Sequence, residues 1–325
     1  MRKNKIIGLC FCILLSACMA QQPTTMMISS TQVINTPVVV LEDASTSALP
    51  TPTQFEATKT VLPPIKTTIA PTQPVAPVLP VSDLIVVDHM SVEKFDLIPD
   101  EVLQQAASLR VMIRGSSVEE NIRYGLECLH GNFPDRRPNS CSEFFNLKYD
   151  PALWNFQLRG NPGWIEKVDD FVRETDNQSN QHDVFMFTVG YLDGLDGMSF
   201  PEISNPENFK TQYVDKLEEL EDRHPDKIFV WWNMSLAQQG QQNTQQFNDT
   251  LRAYAFENQK IFFDLADIEA YDFQGNPCKD ENQYEVICSD YTEEKVSGHL
   301  NETARERVAK AFWYLMARLT GWKEE

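Results

Sequence analysis

Beyond its first twenty residues the 325-residue chain has no apolar run long enough to span a bilayer, so no transmembrane helix is predicted. Glycine is sparse, at 13 residues. No Gly-rich phosphate loop of either common type follows the first predicted strand, and no cofactor is expected. No two cysteines stand at C-x-x-C spacing, and His89, His130, His182 and His224 are scattered, so no metal site is expected. There is no internal repeat. Basic residues are also in deficit, 28 Lys and Arg against 47 Asp and Glu.

What is present begins with a processing signal. Arg2, Lys3 and Lys5 form a positive start, and Ile6 to Leu15 is an apolar run of signal-peptide length. Leu15-Ser16-Ala17-Cys18 follows and resembles a bacterial lipobox. The resemblance implies cleavage after residue 17, diacylglycerol on the Cys18 sulfur and an acyl group on its new amine. Several acyl chains on one residue anchor stably where one chain binds marginally. The membrane is expected as a partner through this anchor alone, on the extracytoplasmic side (cell surface or periplasm).

Residues 18–81 are rich in Thr, Pro, Val, Ser and Gln, with almost no charge and no apolar periodicity. Such a segment cannot bury enough surface to offset its ordering entropy. Frequent proline keeps it extended, and at about 3.1 Å per residue it would reach roughly 190 Å. Residues 82–325 then form one domain-sized unit. Five of the 28 basic and three of the 47 acidic residues precede it, leaving 23 against 44, a net charge of −21. That balance argues against a nucleic-acid partner.

Cys10 and Cys12 leave with the signal, and four cysteines remain in the domain. An even count outside the cytosol reads as disulfides. Of the three possible pairings, Cys128–Cys141 and Cys278–Cys288 are expected because each closes a short loop.

The domain alternates strands and helices. Strands are predicted over 110–113, 183–189, 227–232 and 260–263, with helices over 100–109, 118–129, 164–175, 206–223 and 243–258. A last helix is capped by Asn301. Near-continuous apolar strands between helices predict an α/β fold, a parallel sheet covered on both faces. Sites in such sheets form beyond the carboxyl ends of the strands. There the chain places Gly115-Ser116-Ser117 at the entry to a helix, Gly190-Tyr191-Leu192-Asp193, and His299 just before the last helix. A helix N-terminus offers free N–H groups to a developing oxyanion, and histidine is the natural base for a serine.

In this order of elements the chain, over about 110–320, resembles the SGNH (GDSL-type) hydrolases, esterases and lipases with a three-layer α/β/α, flavodoxin-like fold. The resemblance implies Ser117 as nucleophile, His299 as base and Gly160 as an oxyanion glycine. The family's Gly-Asp-Ser is here Gly115-Ser116-Ser117. Its Gly-x-Asn-Asp is Gly190-Tyr191-Leu192-Asp193, so the oxyanion asparagine is replaced by Leu192. Its Asp-x-x-His is Val296-Ser297-Gly298-His299, which keeps the base and loses the acid. Asp193 and Asp267 are candidate replacement acids, although caps and loop carboxylates are the more common role for such residues. Trp231-Trp232 reads as core rather than as a sugar platform.

Two functions follow. One is an extracytoplasmic serine ester hydrolase acting on an ester-bearing small molecule or glycan, as a monomer. The other is a non-catalytic surface-displayed binding domain on the same fold, motivated by the missing motif residues. A third, blander reading is a stalked structural surface protein.

Overall fold

The computed structural model describes residues 84–129, 150–195 and 202–324, with the side chain of Cys128 excepted. The lipobox cysteine Cys18, the 18–81 stalk, His130 and the Cys128–Cys141 pairing lie outside the described residues.

The apolar runs form one sheet of six parallel strands: β1 (Val86–Val87), β2 (Val111–Gly115), β3 (Trp154–Leu158), β4 (Val184–Phe187), β5 (Ile228–Trp232) and β6 (Ile261–Phe263). Their order across the sheet is β1-β6-β5-β4-β2-β3. Without the short edge strand β1, strands β2 to β6 run 2-1-3-4-5 in their own order, the flavodoxin-like arrangement. The strand order reverses at β2, between β3 on one side and β4 on the other.

The alternation of side chains along each strand builds two cores. Val111, Ile113, Met186 and Trp232 face α1 (Asp100–Ala107), α2 (Ser117–Leu129) and α8 (Glu302–Leu319). Met112, Phe185, Trp231 and Phe262 face α3 (Trp164–Gln178), α5 (Asp215–Arg223) and α6 (Gln242–Glu257). Both faces are thus covered, giving three layers, and Trp231 and Trp232 are core. The predicted helix over 206–223 is composite. Asn205 caps a short α4 (Pro206–Asn208), and a π-helical stretch, Phe209–Val214, joins it to α5. β1, β3 and the short α7 (Leu265–Ala270) were not predicted.

Two local features position the site. Asn301 caps α8, its side chain accepting from Ala304 N–H at 3.1 Å. α2 and α8 approach closely at Gly125, where a Cβ would collide with the carbonyl of Arg305. The helices whose N-terminal ends carry Ser117 and follow His299 are therefore packed on each other. The expected Cys278–Cys288 disulfide is present. Its cysteines donate their backbone N–H groups to the carbonyls of Ala270 and Glu269 at the end of α7.

Candidate active site

Ser117 is the first residue of α2, directly beyond the carboxyl end of β2. The turn that presents it is built by its neighbours. Glu119 reaches back to accept the Ser116 N–H at 2.6 Å. This is half of an S-x-x-E capping box, Ser116-Ser117-Val118-Glu119, a signal the sequence carries. Gly115 makes it possible, because a Cβ there would occupy the Glu119 side chain's place. Burial pushes the Glu119 carboxyl up, while the backbone hydrogen bonds and the nearby Arg159 and Lys167 pull it down. Ser116, where the family has aspartate, thus belongs to a helix start.

The ends of neighbouring strands are tied around this turn. Arg159, after β3, donates its N–H to Gly115 O and a guanidinium N–H to Thr188 O, both at 2.9 Å. The Thr188 hydroxyl in turn bonds Asn233 O beyond β5 at 2.8 Å. Gly160 and Gly190 follow the carboxyl ends of β3 and β4, whose Leu158 and Phe187 pair with Gly115 and Arg114 shortly before Ser117. Nothing lies within 4 Å of where a Cβ would stand on either glycine, so the space over each is open. As the first residue of its helix, Ser117 presents an N–H with no intrahelical acceptor.

His299 meets the serine from the other side. Its Nε2 lies 2.8 Å from Ser117 Oγ. Its Nδ1 lies 2.9 and 3.1 Å from the two carboxylate oxygens of Glu294, and its backbone N–H donates to Glu294 Oε2 at 2.9 Å. Burial pulls the Glu294 carboxyl upward, but the hydrogen bonds from His299 and Ser297 outweigh it and hold it below its ordinary range. Tyr191 packs edge-on to the imidazole, at 5.9 Å between centroids and 87° between planes. Burial and the Glu294 charge push the Tyr191 hydroxyl up, against hydrogen bonds with Ser297 and Gly298.

The serine and histidine of the sequence reading are therefore brought together, and the carboxylate on the far side of the imidazole is that of Glu294, five residues before the histidine. The two carboxylates considered in its place are engaged elsewhere. Asp193 is buried in an ion pair with Lys167 at 2.5 Å and accepts the Gly190 N–H at 2.8 Å, which fixes the turn after β4. Burial pushes both members of that pair toward neutrality, and their mutual attraction opposes it. Asp267 holds the His89 ring at 2.5 Å and its N–H at 2.8 Å, with the ring stacked on Tyr271. Leu192 packs against the core, as an apolar side chain must, and cannot donate to an oxyanion. His182 is buried and His224 bonds Asp176.

Beside His299 lies an open groove of about 430 Å³, lined by Glu293, Glu294, Asn301, Glu302, Thr303 and Arg305. Among the described residues no cluster of His, Cys, Asp or Glu could hold a metal ion, and no helix is long and apolar enough to cross a membrane. Chemically, the serine–histidine–glutamate chain can move a proton from hydroxyl to imidazole while an anion supports the imidazolium.

The chain matches no protein-family model and no curated protein. Among solved structures it is similar to a protein assigned as lipolytic and of the G-D-S-L family from Desulfitobacterium hafniense DCB-2, at 13% identity and a TM-score of 0.40, covering 63% of this chain and 99% of that one. It is also similar to the acetyl xylan esterase AlAXEase, at 16% identity and a TM-score of 0.40, covering 62% and 98%. A third is the acetylxylan esterase Axe2 from Geobacillus stearothermophilus, at 12% identity and a TM-score of 0.38, covering 66% and 94%.

Proposed function

We propose that the domain is a serine ester hydrolase of the SGNH type, displayed outside the cytoplasmic membrane on a lipid anchor at Cys18. The observation that carries the catalytic reading is the continuous chain from Ser117 Oγ through the His299 ring to the Glu294 carboxylate, with links of 2.8 and 2.9 Å. Ser117 attacks the ester carbonyl as His299 Nε2 takes its proton. The tetrahedral oxyanion faces the N-terminus of α2, where the Ser117 N–H and the Gly160 N–H are its donors. His299 returns the proton to the departing alcohol, which leaves an acyl group on Ser117. Water, deprotonated by the same imidazole, attacks that acyl group; the bond to Ser117 Oγ breaks as His299 returns the proton to Oγ, and the carboxylic acid departs. Glu294 keeps the Nδ1 proton in place and supports the imidazolium.

The substrate class is an acyl or acetyl ester on a small molecule or glycan, in keeping with the family resemblance and with the open groove at His299. Turnover of p-nitrophenyl acetate or an acetylated glycan that disappears in Ser117→Ala is the expected result; equal rates in the variant would overturn the assignment. The anchor is supported by the lipobox alone. Radioactive palmitate should label the wild type and not Cys18→Ala, and an unlabelled mature wild type would refute it.

A further inference from the structure

The Ser117–His299 distance is set by two elements with different origins, the first turn of α2 and an irregular loop leading into α8. Resting on the catalytic reading above, we propose that Asn121 is the positioning residue that holds these two elements in register. Its Oδ1 accepts the Leu300 N–H at 2.8 Å in a buried hydrogen bond. Ser117 and Asn121 are four residues apart on α2 and so lie one above the other on the same helix face. His299 and Leu300 are consecutive. The loop is therefore bonded to that helix face twice in parallel, once through the reacting atoms and once, one helical turn deeper, through Asn121.

The two bonds differ in accessibility. The His299 and Glu294 side chains are each 37% exposed, so their mutual bonds compete with water. Asn121 is 7% exposed, and Leu300 beside it is 1% exposed. A buried N–H that loses its acceptor is costly, so the loop moves rather than tolerate the loss. On its far side the loop is stopped hard. Gly298 lies where a Cβ would collide with the Leu236 carbonyl, and Gln238 N–H donates to Ser297 O at 3.0 Å. With the Asn121 contact gone, the loop loses its buried tie to α2 while keeping its anchors to Leu236–Gln238 and, through Asn301, to Asp290 and Tyr291, and the imidazole would drift from the serine. Asn121 acts through the backbone of Leu300.

Fluorophosphonate labelling of Ser117 tests this, because it reads serine activation independently of substrate choice. Asn121→Leu removes the acceptor at similar volume. Asn121→Asp keeps an acceptor oxygen in the same place. The expected result is a labelling rate constant about 10- to 100-fold lower in Asn121→Leu, the scale of a displacement near 1 Å, and restoration to within about threefold in Asn121→Asp. Turnover should fall in kcat with KM unchanged. Wild-type labelling in Asn121→Leu that melts as one cooperative unit overturns the proposal. If Asn121→Leu does not fold, Asn121→Asp decides alone: labelling within about threefold of wild type upholds it, and a loss of about 10-fold or more overturns it. A wild-type protein that is not labelled at all sinks the catalytic reading instead, so the two failures are distinct.

Discussion

Replacing Glu294 by glutamine is the sharpest perturbation, because it changes one atom of the chain and keeps its shape. The carboxylate accepts twice from the same residue, from the His299 backbone N–H at 2.9 Å and from the ring Nδ1 at 2.9 and 3.1 Å. An amide offers one acceptor and one donor in those two places. If its oxygen keeps the backbone N–H, its NH2 faces Nδ1. The ring must then accept there and carry its proton on Nε2, aimed at Ser117 Oγ, where it cannot act as a base. If the amide turns over, its NH2 faces the backbone N–H and a bond is lost. A full tautomer lock of this kind lowers turnover by about 10⁴. Glu294 is 37% exposed and water competes for the ring, so about 10² to 10⁴ is expected in kcat. That is about 2.7–5.5 kcal/mol of transition-state stabilisation. Glu294→Ala leaves the ring free to choose its tautomer and should fall less than Glu294→Gln, and KM should hold in both. Steady-state kinetics with p-nitrophenyl acetate measure this. A Glu294→Gln enzyme within threefold of wild type would refute the role given to Glu294.

Two further outcomes follow from groups around the site. Gly298→Ala drives a methyl into the Leu236 carbonyl, and overpacking of this kind costs about 1–3 kcal/mol. The melting temperature should drop by about 2–4 °C per kcal/mol for a domain of this size, with hydrolysis lost as His299 shifts; native values for both would show that the loop is not tightly held. Glu269 is fully buried and accepts the Leu236 N–H, and burial pushes its carboxyl well above the ordinary 4.5, with that hydrogen bond pulling the other way and Glu119 adding to the rise. The unfolded chain releases this proton at the ordinary value and the folded chain only at a higher pH. The group's contribution to stability is therefore complete below about 4.5 and is lost as pH rises toward the folded value, at up to about 1.4 kcal/mol per pH unit. Urea midpoints from pH 5 to 8 should fall more steeply in wild type than in Glu269→Gln, and parallel curves would refute the buried-acid reading.

The sheet was largely legible because strands covered on both faces must be apolar throughout, as in Val184-Phe-Met-Phe187 and Ile228-Phe-Val-Trp-Trp232. β3 escaped for the same reason in reverse. It is an edge strand, and its Trp154-Asn-Phe-Gln-Leu158 alternates between apolar and polar residues. β1 has two residues and α7 six, too few to show a period. That Ser117 and His299 meet was legible because topology brings them to one end of the sheet, one just past a strand and one just before a capped helix. The π-helical stretch within 206–223 has no periodic signature, because its Phe209, Tyr213 and Leu217 spacing reads as ordinary helix.

Glu294 was missed because it looks like solvent-facing charge. It stands in Glu293-Glu294-Lys295, and the expected acid position, three residues before the histidine, holds Val296. Asp193 and Asp267 fit better by position after their strands, but each already has a cation or an imidazole of its own. What brings Glu294 to the ring is the bent segment between it and His299, which lets one carboxylate receive both the ring and the backbone N–H. His89 and Asp267 form the same two-point grip across 178 residues of sequence. The grip therefore depends on no particular spacing, only on a carboxylate placed beside a histidine's own amide. A spacing motif cannot detect that, whereas any acid within a turn's reach of the histidine could. With Glu294 as the acid, Ser116 and Leu192 are the departures that stay at the site. On the proposed mechanism Leu192 leaves the oxyanion to the backbone donors of Ser117 and Gly160, so the demand on the Ser117 turn grows, and with it the demand on Glu119, Gly115 and Arg159, which hold that turn in place.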